Sequence, residues 1–310
     1  MKPFLLILIH QNDASRALIE ATFDVVYAPD SAQRATAIAQ HGHAVRAVLT
    51  NGSTGLTAAE IDRMPQLELV SVLGAGYENV AVDHARARKI AVASGAGTNA
   101  DCVADHAFAL LLAVVRDVPQ LDQATRAGAW RDNLPARPNV SGKRLGIVGL
   151  GNIGEKIARR GAGFDMELGY HNRKPREGSP LRYFDSVEAL AQWCDFLVVA
   201  TPGGPGTQHL IDARVLAALG AEGFVVNVSR GSVLDTAALA QALAAGTIAG
   251  AGLDVYEGEP HLPEALRPLR NVVLTPHLAG RSPEASKASI DNFLANATRH
   301  FAGEALLTPI

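Results

Sequence analysis

The chain alternates short, uninterrupted apolar runs with stretches in which apolar residues recur at three- and four-residue spacing. Such runs read as strands covered on both faces, and the stretches between them as amphipathic helices. The early part predicts strands at residues 4–9, 24–27, 47–49, 69–73 and 90–93, with helices such as 14–21 and 31–39 between them. A long apolar helix is predicted over 102–116, followed by a polar, proline-bearing segment around 133–141. A second series opens at Arg144-Leu145-Gly146-Ile147-Val148. It continues with strands at 195–200, 224–228, 249–253 and 272–274 and helices at 186–192, 213–219 and 236–244. After Pro283 a single helix runs to Phe301, then a short tail.

Buried strands alternating with helices predict α/β architecture, here two Rossmann-like, doubly wound parallel sheets. The later series stands in mid-chain. A domain of residues 99–284 is therefore expected to be inserted into a substrate domain formed by 1–98 plus 285–310. Two crossings, near 99–116 and near Pro283, are expected to form a double hinge around a cleft whose closure excludes water. No repeat at solenoid periods and no low-complexity tract interrupts this pattern.

The chemistry begins at the first strand of the second series. After Arg144-Leu145-Gly146-Ile147-Val148 comes Gly149-Leu150-Gly151-Asn152-Ile153-Gly154, then a helix-like segment, a second apolar run and Tyr170-His171-Asn172-Arg173-Lys174. In a dinucleotide site the first glycine makes the tight turn, the second lets backbone amides approach a pyrophosphate, and the third lets the helix pack close to the sheet. The helix N-terminus adds unpaired N–H groups and partial positive charge. A strand before and a helix after make this more than a glycine-rich turn. At the end of the second strand an NAD site places a carboxylate for the ribose 2′-OH, and none stands here. Asn172, Arg173 and Lys174 do, with Arg176 close behind, and cations there suit a 2′-phosphate. NADP(H) is expected over NAD(H).

Composition narrows the class without changing it. The 310 residues are 48% hydrophobic and 19% charged, with formal net charge −3. That balance gives no basic excess for nucleic acid and no basic amphipathic segment for a membrane surface. The run at 4–9 is too short to span a bilayer and lacks a cleavage site behind it, so a cytoplasmic enzyme is expected. The two cysteines, Cys102 and Cys194, sit in apolar helix-like contexts that suit small buried side chains. His41-Gly42-His43 has no carboxylate or cysteine at ligand spacing, so no metal site is expected. His106, on an apolar helix, reads as a satisfied core histidine.

Three polar residues stand beyond strand ends, where doubly wound sheets hold ligands. They are Arg230 in Asn227-Val228-Ser229-Arg230-Gly231, Glu259 in Glu257-Gly258-Glu259-Pro260, and His277 in Thr275-Pro276-His277-Leu278-Ala279-Gly280. Together, beside a nucleotide site, they match a specific requirement.

With Gly74-Ala75-Gly76-Tyr77-Glu78-Asn79, Gly252-Leu253-Asp254-Val255 and the closing Leu306-Leu307-Thr308-Pro309, these motifs run in order along essentially the whole chain. The chain resembles the D-2-hydroxyacid dehydrogenase family, within it the NADP-linked glyoxylate, hydroxypyruvate and hydroxyphenylpyruvate reductases. The resemblance implies His277 and Glu259 as acid–base pair, Arg230 on the substrate, and a homodimer. It implies substrate contacts at Leu73, Gly74, Ala75, Gly76, Arg230 and His277. Cofactor contacts are implied at Gly149, Gly151, Asn152, Ile153, Gly154, Asn172, Arg173, Lys174, Thr201, Pro202, Thr207, Val228, Ser229, Arg230, Asp254, His277 and Gly280. Asp254 is expected to face the nicotinamide, and His171 and Asn172 the adenosine ribose. The loop Thr201-Pro202-Gly203-Gly204-Pro205-Gly206-Thr207 departs from the family pattern by an extra glycine and proline.

Two alternatives stand beside the reductase. Relatives of this fold include cofactor-sensing transcriptional corepressors, a reading weakened by the complete Arg230, Glu259 and His277 set and by the lack of a basic DNA-binding module. An NAD-dependent dehydrogenase of a larger, sugar-derived or phosphorylated 2-hydroxyacid is the other. Substrate selection is expected from loops near Asn51-Gly52-Ser53-Thr54 and from residues 73–77, with a partner subunit's segment around 130–137.

Overall fold

The computed structural model describes residues 2–310 and contains two compact units. One runs up to Asn99 and resumes at Arg281; the other is Ala100–Gly280.

In the first unit β1 (Phe4–Ile7), β2 (Asp24–Tyr27), β3 (Ala47–Asn51), β4 (Leu69–Leu73) and β5 (Ala91–Ser94) alternate with α1 (Asp13–Glu20), α2 (Ser31–His41), α3 (Ala58–Asp62) and α4 (Val82–Ala87). The strands pair in parallel in the order β2-β1-β3-β4-β5. Side chains alternate between two buried faces, as a strand's period of two requires. Leu6, Val48 and Val70 enter one core cluster, while Leu5, Ile7 and Leu49 enter the other. The C-terminal helix (Pro283–Phe301) covers the second face, where Phe293 stacks on Phe23 with ring centroids 5.6 Å apart. The tail behind it adds an antiparallel bridge, Ala93 to Pro309, to the β5 edge.

The second unit contains α5 (Ala100–Val115), α6 (Val118–Arg126), β6 (Arg144–Val148), α7 (Asn152–Ala162), β7 (Glu167–His171), β8 (Arg182–Tyr183), α8 (Val187–Trp193) and β9 (Phe196–Val199). It continues with α9 (Ala213–Leu219), β10 (Phe224–Asn227), α10 (Thr236–Ala245), β11 (Gly250–Leu253) and β12 (Val272–Leu274). The C-terminal helix is α11. All strands are parallel, in the order β12-β11-β10-β9-β6-β7-β8. The chain leaves β6 toward β7 on one side and later returns to β9 on the other. That reversal opens a crevice beyond the carboxyl ends of the strands, the place where such sheets bind ligands.

Some elements depart from the sequence expectation. Leu8 and Ile9 continue the apolar run but lie buried in the turn after β1, because burial and strand pairing end at different residues. The two-residue β8 is too short to show periodicity and exists through its pairing with β7. α6 has no buried residue, so no apolar stripe announced it. Among the described residues no helix is long and apolar enough to cross a membrane.

Candidate active site

The glycine turn follows β6 at the topological reversal. Gly149 has φ +100°, and a Cβ there would meet Thr201 Cα at 2.8 Å, so both backbone and space exclude a side chain. At Gly154 a Cβ would meet the Gly149 carbonyl oxygen at 2.1 Å, which is how α7 lies so close to the turn. Gly151 differs: a Cβ built on it would enter open space. Gly151 caps α7 without a side-chain acceptor, and Asn152 and Ile153 open the first turn with its N–H groups and positive dipole end. Open space in front of unclaimed amides fits the pyrophosphate of a dinucleotide.

The expected ribose end is more committed to the protein than its sequence suggested. His171 Nδ1 stands 2.9 Å from the Phe184 carbonyl oxygen and its ring stacks on Tyr183. The Asn172 side-chain oxygen accepts from the Leu150 N–H at 2.7 Å. Arg176 donates to the Leu150 carbonyl at 3.0 Å and pairs with Glu155 at 2.6 Å. Only Arg173 and Lys174 of this group are exposed side chains not claimed by such contacts. The neighbouring residues also turn inward. Thr207 donates its hydroxyl to the Pro202 carbonyl at 2.9 Å, closing its own loop behind Thr201. Val228 is buried, and the Ser229 hydroxyl donates to the Asn227 side chain at 2.8 Å. These side chains shape the loops, because a hydroxyl with one proton gives it to the nearest acceptor.

Beyond β10, Asn227 folds the turn that presents Arg230. Its amide donates to the Arg230 carbonyl at 3.1 Å while its oxygen accepts the Ser229 N–H at 3.0 Å. Arg230 Nη1 donates to the Ser229 carbonyl at 2.7 Å. Glu259 accepts the Tyr256 N–H through Oε1 at 2.9 Å, and its Oε2 lies 2.6 Å from His277 Nδ1. A carboxylate can only accept, so Nδ1 carries the proton of that bond and Nε2 is left to hold or release another. His277 has φ +53°, uncommon for a residue with a Cβ, and its N–H donates to the Asp254 carbonyl at 2.8 Å.

Asp254 explains how that loop is held. Its carboxylate is buried yet accepts from the Thr275 hydroxyl at 2.6 Å, the Leu278 N–H at 2.9 Å and the Ala279 N–H at 2.8 Å. The oxygens expected to face a nicotinamide are thus occupied by the loop that carries His277 and leads to Gly280. With the Thr275 proton given to Asp254, His106 Nε2 donates to the Thr275 oxygen at 2.9 Å. Tyr256 adds bonds from its hydroxyl to the Thr275 carbonyl at 2.7 Å and the Leu253 carbonyl at 3.2 Å. Burial, then the nearby Asp254 charge, push its phenol up to about 12, so it remains a donor. Sequence reading missed His106, Thr275 and Tyr256 in this role, since nothing in their spacing names their partner.

A second histidine–carboxylate pair was also missed. His209 Nε2 lies 2.7 Å from Glu257 Oε1, and Glu257 Oε2 accepts the Thr236 N–H at 3.1 Å.

In the first unit, β4 ends at Leu73 and the turn Gly74-Ala75-Gly76 follows. Gly74 has φ +86° with open space where a Cβ would stand, and its carbonyl accepts the Gly95 N–H at 2.8 Å. The adjoining turn is built tightly. Asn51 accepts the Thr54 N–H at 2.7 Å, and Arg34 donates to the carbonyls of Thr54 at 3.1 Å and Gly55 at 3.2 Å.

Comparison with known proteins places this arrangement. Residues 108–279 match the family model "D-isomer specific 2-hydroxyacid dehydrogenase, NAD binding domain". The chain is 40% identical over 268 residues to 2-ketogluconate reductase of Gluconobacter oxydans, covering 86% of each chain. It is 39% identical over 274 residues to hydroxyphenylpyruvate reductase of Plectranthus scutellarioides, covering 88% of each. The crystal structure of an NADPH-dependent glyoxylate/hydroxypyruvate reductase from Sinorhizobium meliloti, in complex with NADP and malonate, superposes with TM-score 0.91 at 37% identity. The match covers 100% of this chain and 97% of that one.

Proposed function

Since the chain belongs to the D-isomer specific 2-hydroxyacid dehydrogenase family, we propose that it reduces a small 2-oxoacid, of the glyoxylate or hydroxypyruvate kind, to the D-2-hydroxyacid. When bound, the nicotinamide dinucleotide supplies the hydride. The observation that carries the reading is the 2.6 Å bond between His277 Nδ1 and Glu259 Oε2, on loops at the carboxyl edge of the sheet. Glu259 orients the ring through the Nδ1 hydrogen bond, and Nε2 delivers the proton that the developing alkoxide needs. Arg230 binds the substrate carboxylate and carbonyl through its fork.

The turn from Gly149 to Gly154 holds the pyrophosphate. Arg173 and Lys174 would hold a 2′-phosphate on the ribose, and their exposed charges support NADP(H) over NAD(H). A homodimer is proposed on the side of α6, whose residues are all at least partly exposed, with Trp130 beyond it 67% exposed. A panel of 2-oxoacids assayed with NADPH and NADH tests the whole reading. Steady consumption of NADPH with glyoxylate, hydroxypyruvate or an aryl pyruvate is expected, and no turnover with any of them rejects it in favour of a cofactor-binding role.

A further inference from the structure

The Leu150 peptide, set between Gly149 and Gly151, is gripped at both of its polar groups by one loop. Its N–H donates to Asn172 Oδ1 at 2.7 Å, and its carbonyl accepts from Arg176 Nη1 at 3.0 Å. Both gripping residues are themselves anchored. The Arg176 N–H donates to Tyr170 Oη at 2.8 Å, and its Nη2 lies 2.6 Å from Glu155 Oε1 in the first turn of α7. The Asn172 carbonyl accepts from Tyr183 Oη at 3.3 Å. Between Asn172 and Arg176 lie Arg173, Lys174 and Pro175, all exposed.

We infer that Asn172 and Arg176 are positioning residues that join the glycine turn and the loop presenting Arg173 and Lys174 into one rigid element. Arg176 beside Glu155 brings little net charge to the ribose end, whereas Arg173 and Lys174 bring two positive charges. Its contribution is shape. A guanidinium bridges a carbonyl and a carboxylate at once, which a single ammonium on a flexible stem does poorly. Asn172 likewise spends its oxygen on the turn. Affinity for the common adenosine diphosphate part and recognition of the 2′ position are therefore set by the same loop, through different side chains.

The inference rests on the reading that this turn binds the pyrophosphate, so the test uses fragments that lack nicotinamide. Titration calorimetry compares ADP-ribose with 2′-phospho-ADP-ribose on the full chain. Arg176→Ala and Asn172→Leu should each weaken both fragments by about tenfold and leave their ratio unchanged, the scale of losing one charged or buried hydrogen bond. Arg173→Ala should weaken the 2′-phosphate fragment alone. Asn172→Asp keeps an oxygen for the Leu150 N–H, so it should retain ADP-ribose affinity while its charge lowers affinity for the 2′-phosphate fragment. That rescue separates the grip from a general loss of fold.

Unchanged affinity in Arg176→Ala, or a loss confined to the 2′-phosphate fragment, overturns the inference. Wild-type protein that binds neither fragment overturns it together with the reading beneath it. Wild-type protein that binds both equally removes the NADP preference alone, and the response of ADP-ribose binding to Arg176→Ala still decides the grip.

Discussion

His277 Nδ1 and Glu259 Oε2 stand 2.6 Å apart, and the backbone N–H of the same histidine is held by the Asp254 carbonyl at 2.8 Å. The ring is thus fixed at its side chain by one carboxylate residue and at its main chain by another. Replacing His277 by Asn should lower turnover by roughly a hundredfold or more, the usual contribution of a general acid, with cofactor affinity retained. Near-normal steady-state turnover in that variant would remove His277 from the chemistry.

Asp254 predicts a different signature. Its buried carboxylate receives three hydrogen bonds from the Thr275 to Ala279 loop. Asp254→Asn replaces an acceptor-only group by one that presents an N–H₂ to backbone N–H donors. The variant should lose roughly 1–3 kcal/mol of stability, the cost of an unsatisfied buried group, and lose turnover with it. Chemical denaturation beside kinetics checks this; unaltered stability with lost turnover would instead put Asp254 in contact with the reactants.

Arg173→Ala should raise the KM for NADPH by about tenfold or more and leave that for NADH nearly unchanged, because only the former carries the phosphate that a cation would pair with. Equal effects on both cofactors, or an NADH preference in the wild type, end the NADP assignment.

The His209–Glu257 pair gives stability a pH dependence. The hydrogen bond that His209 donates to Glu257 raises the His209 pKa above its ordinary value. Burial works to raise Glu257, but hydrogen bonds from His209 and Thr236 outweigh it and hold the carboxyl below its ordinary range. The histidine's contribution is complete below its unfolded pKa and lost as pH rises through the raised folded value. The carboxylate's contribution is complete above its unfolded pKa and lost as pH falls through the lowered folded value. The stability gap between wild type and His209→Gln should therefore be widest between about pH 5 and 6.5 and narrow toward alkaline pH. Thermal melts across that range test it, and a gap that grows with rising pH contradicts the pairing.

Asn296 on α11 is fully buried in the first unit, where it accepts the Leu307 N–H at 2.9 Å and the Thr308 N–H at 3.2 Å and donates to the Asn292 carbonyl at 2.8 Å. Asn296→Leu strands two backbone donors and should cost about 2–4 kcal/mol. Urea unfolding measures it; a neutral result means the tail finds other partners.

Much of the architecture was legible because burial repeats along the chain. A strand covered on both faces must be apolar throughout, and a helix on a sheet must show a stripe, so residues 272–274 and 213–219 announced themselves while two-residue β8 and unburied α6 did not. The glycine turn was equally plain, since Gly149 and Gly154 answer a local demand for space that no other residue meets. Partnership among polar side chains was not. The sequence puts Asn172 at the expected ribose end with Arg176 close behind, and Asp254 toward the nicotinamide, but it does not show that the first two hold the Leu150 peptide or that Thr275, Leu278 and Ala279 donate to the third. Local sequence sets which backbone conformations and burial patterns are allowed. The partner of a hydrogen-bonding group is chosen by whatever the folded chain places about 3 Å away, often from another strand end, and only the tertiary structure decides that.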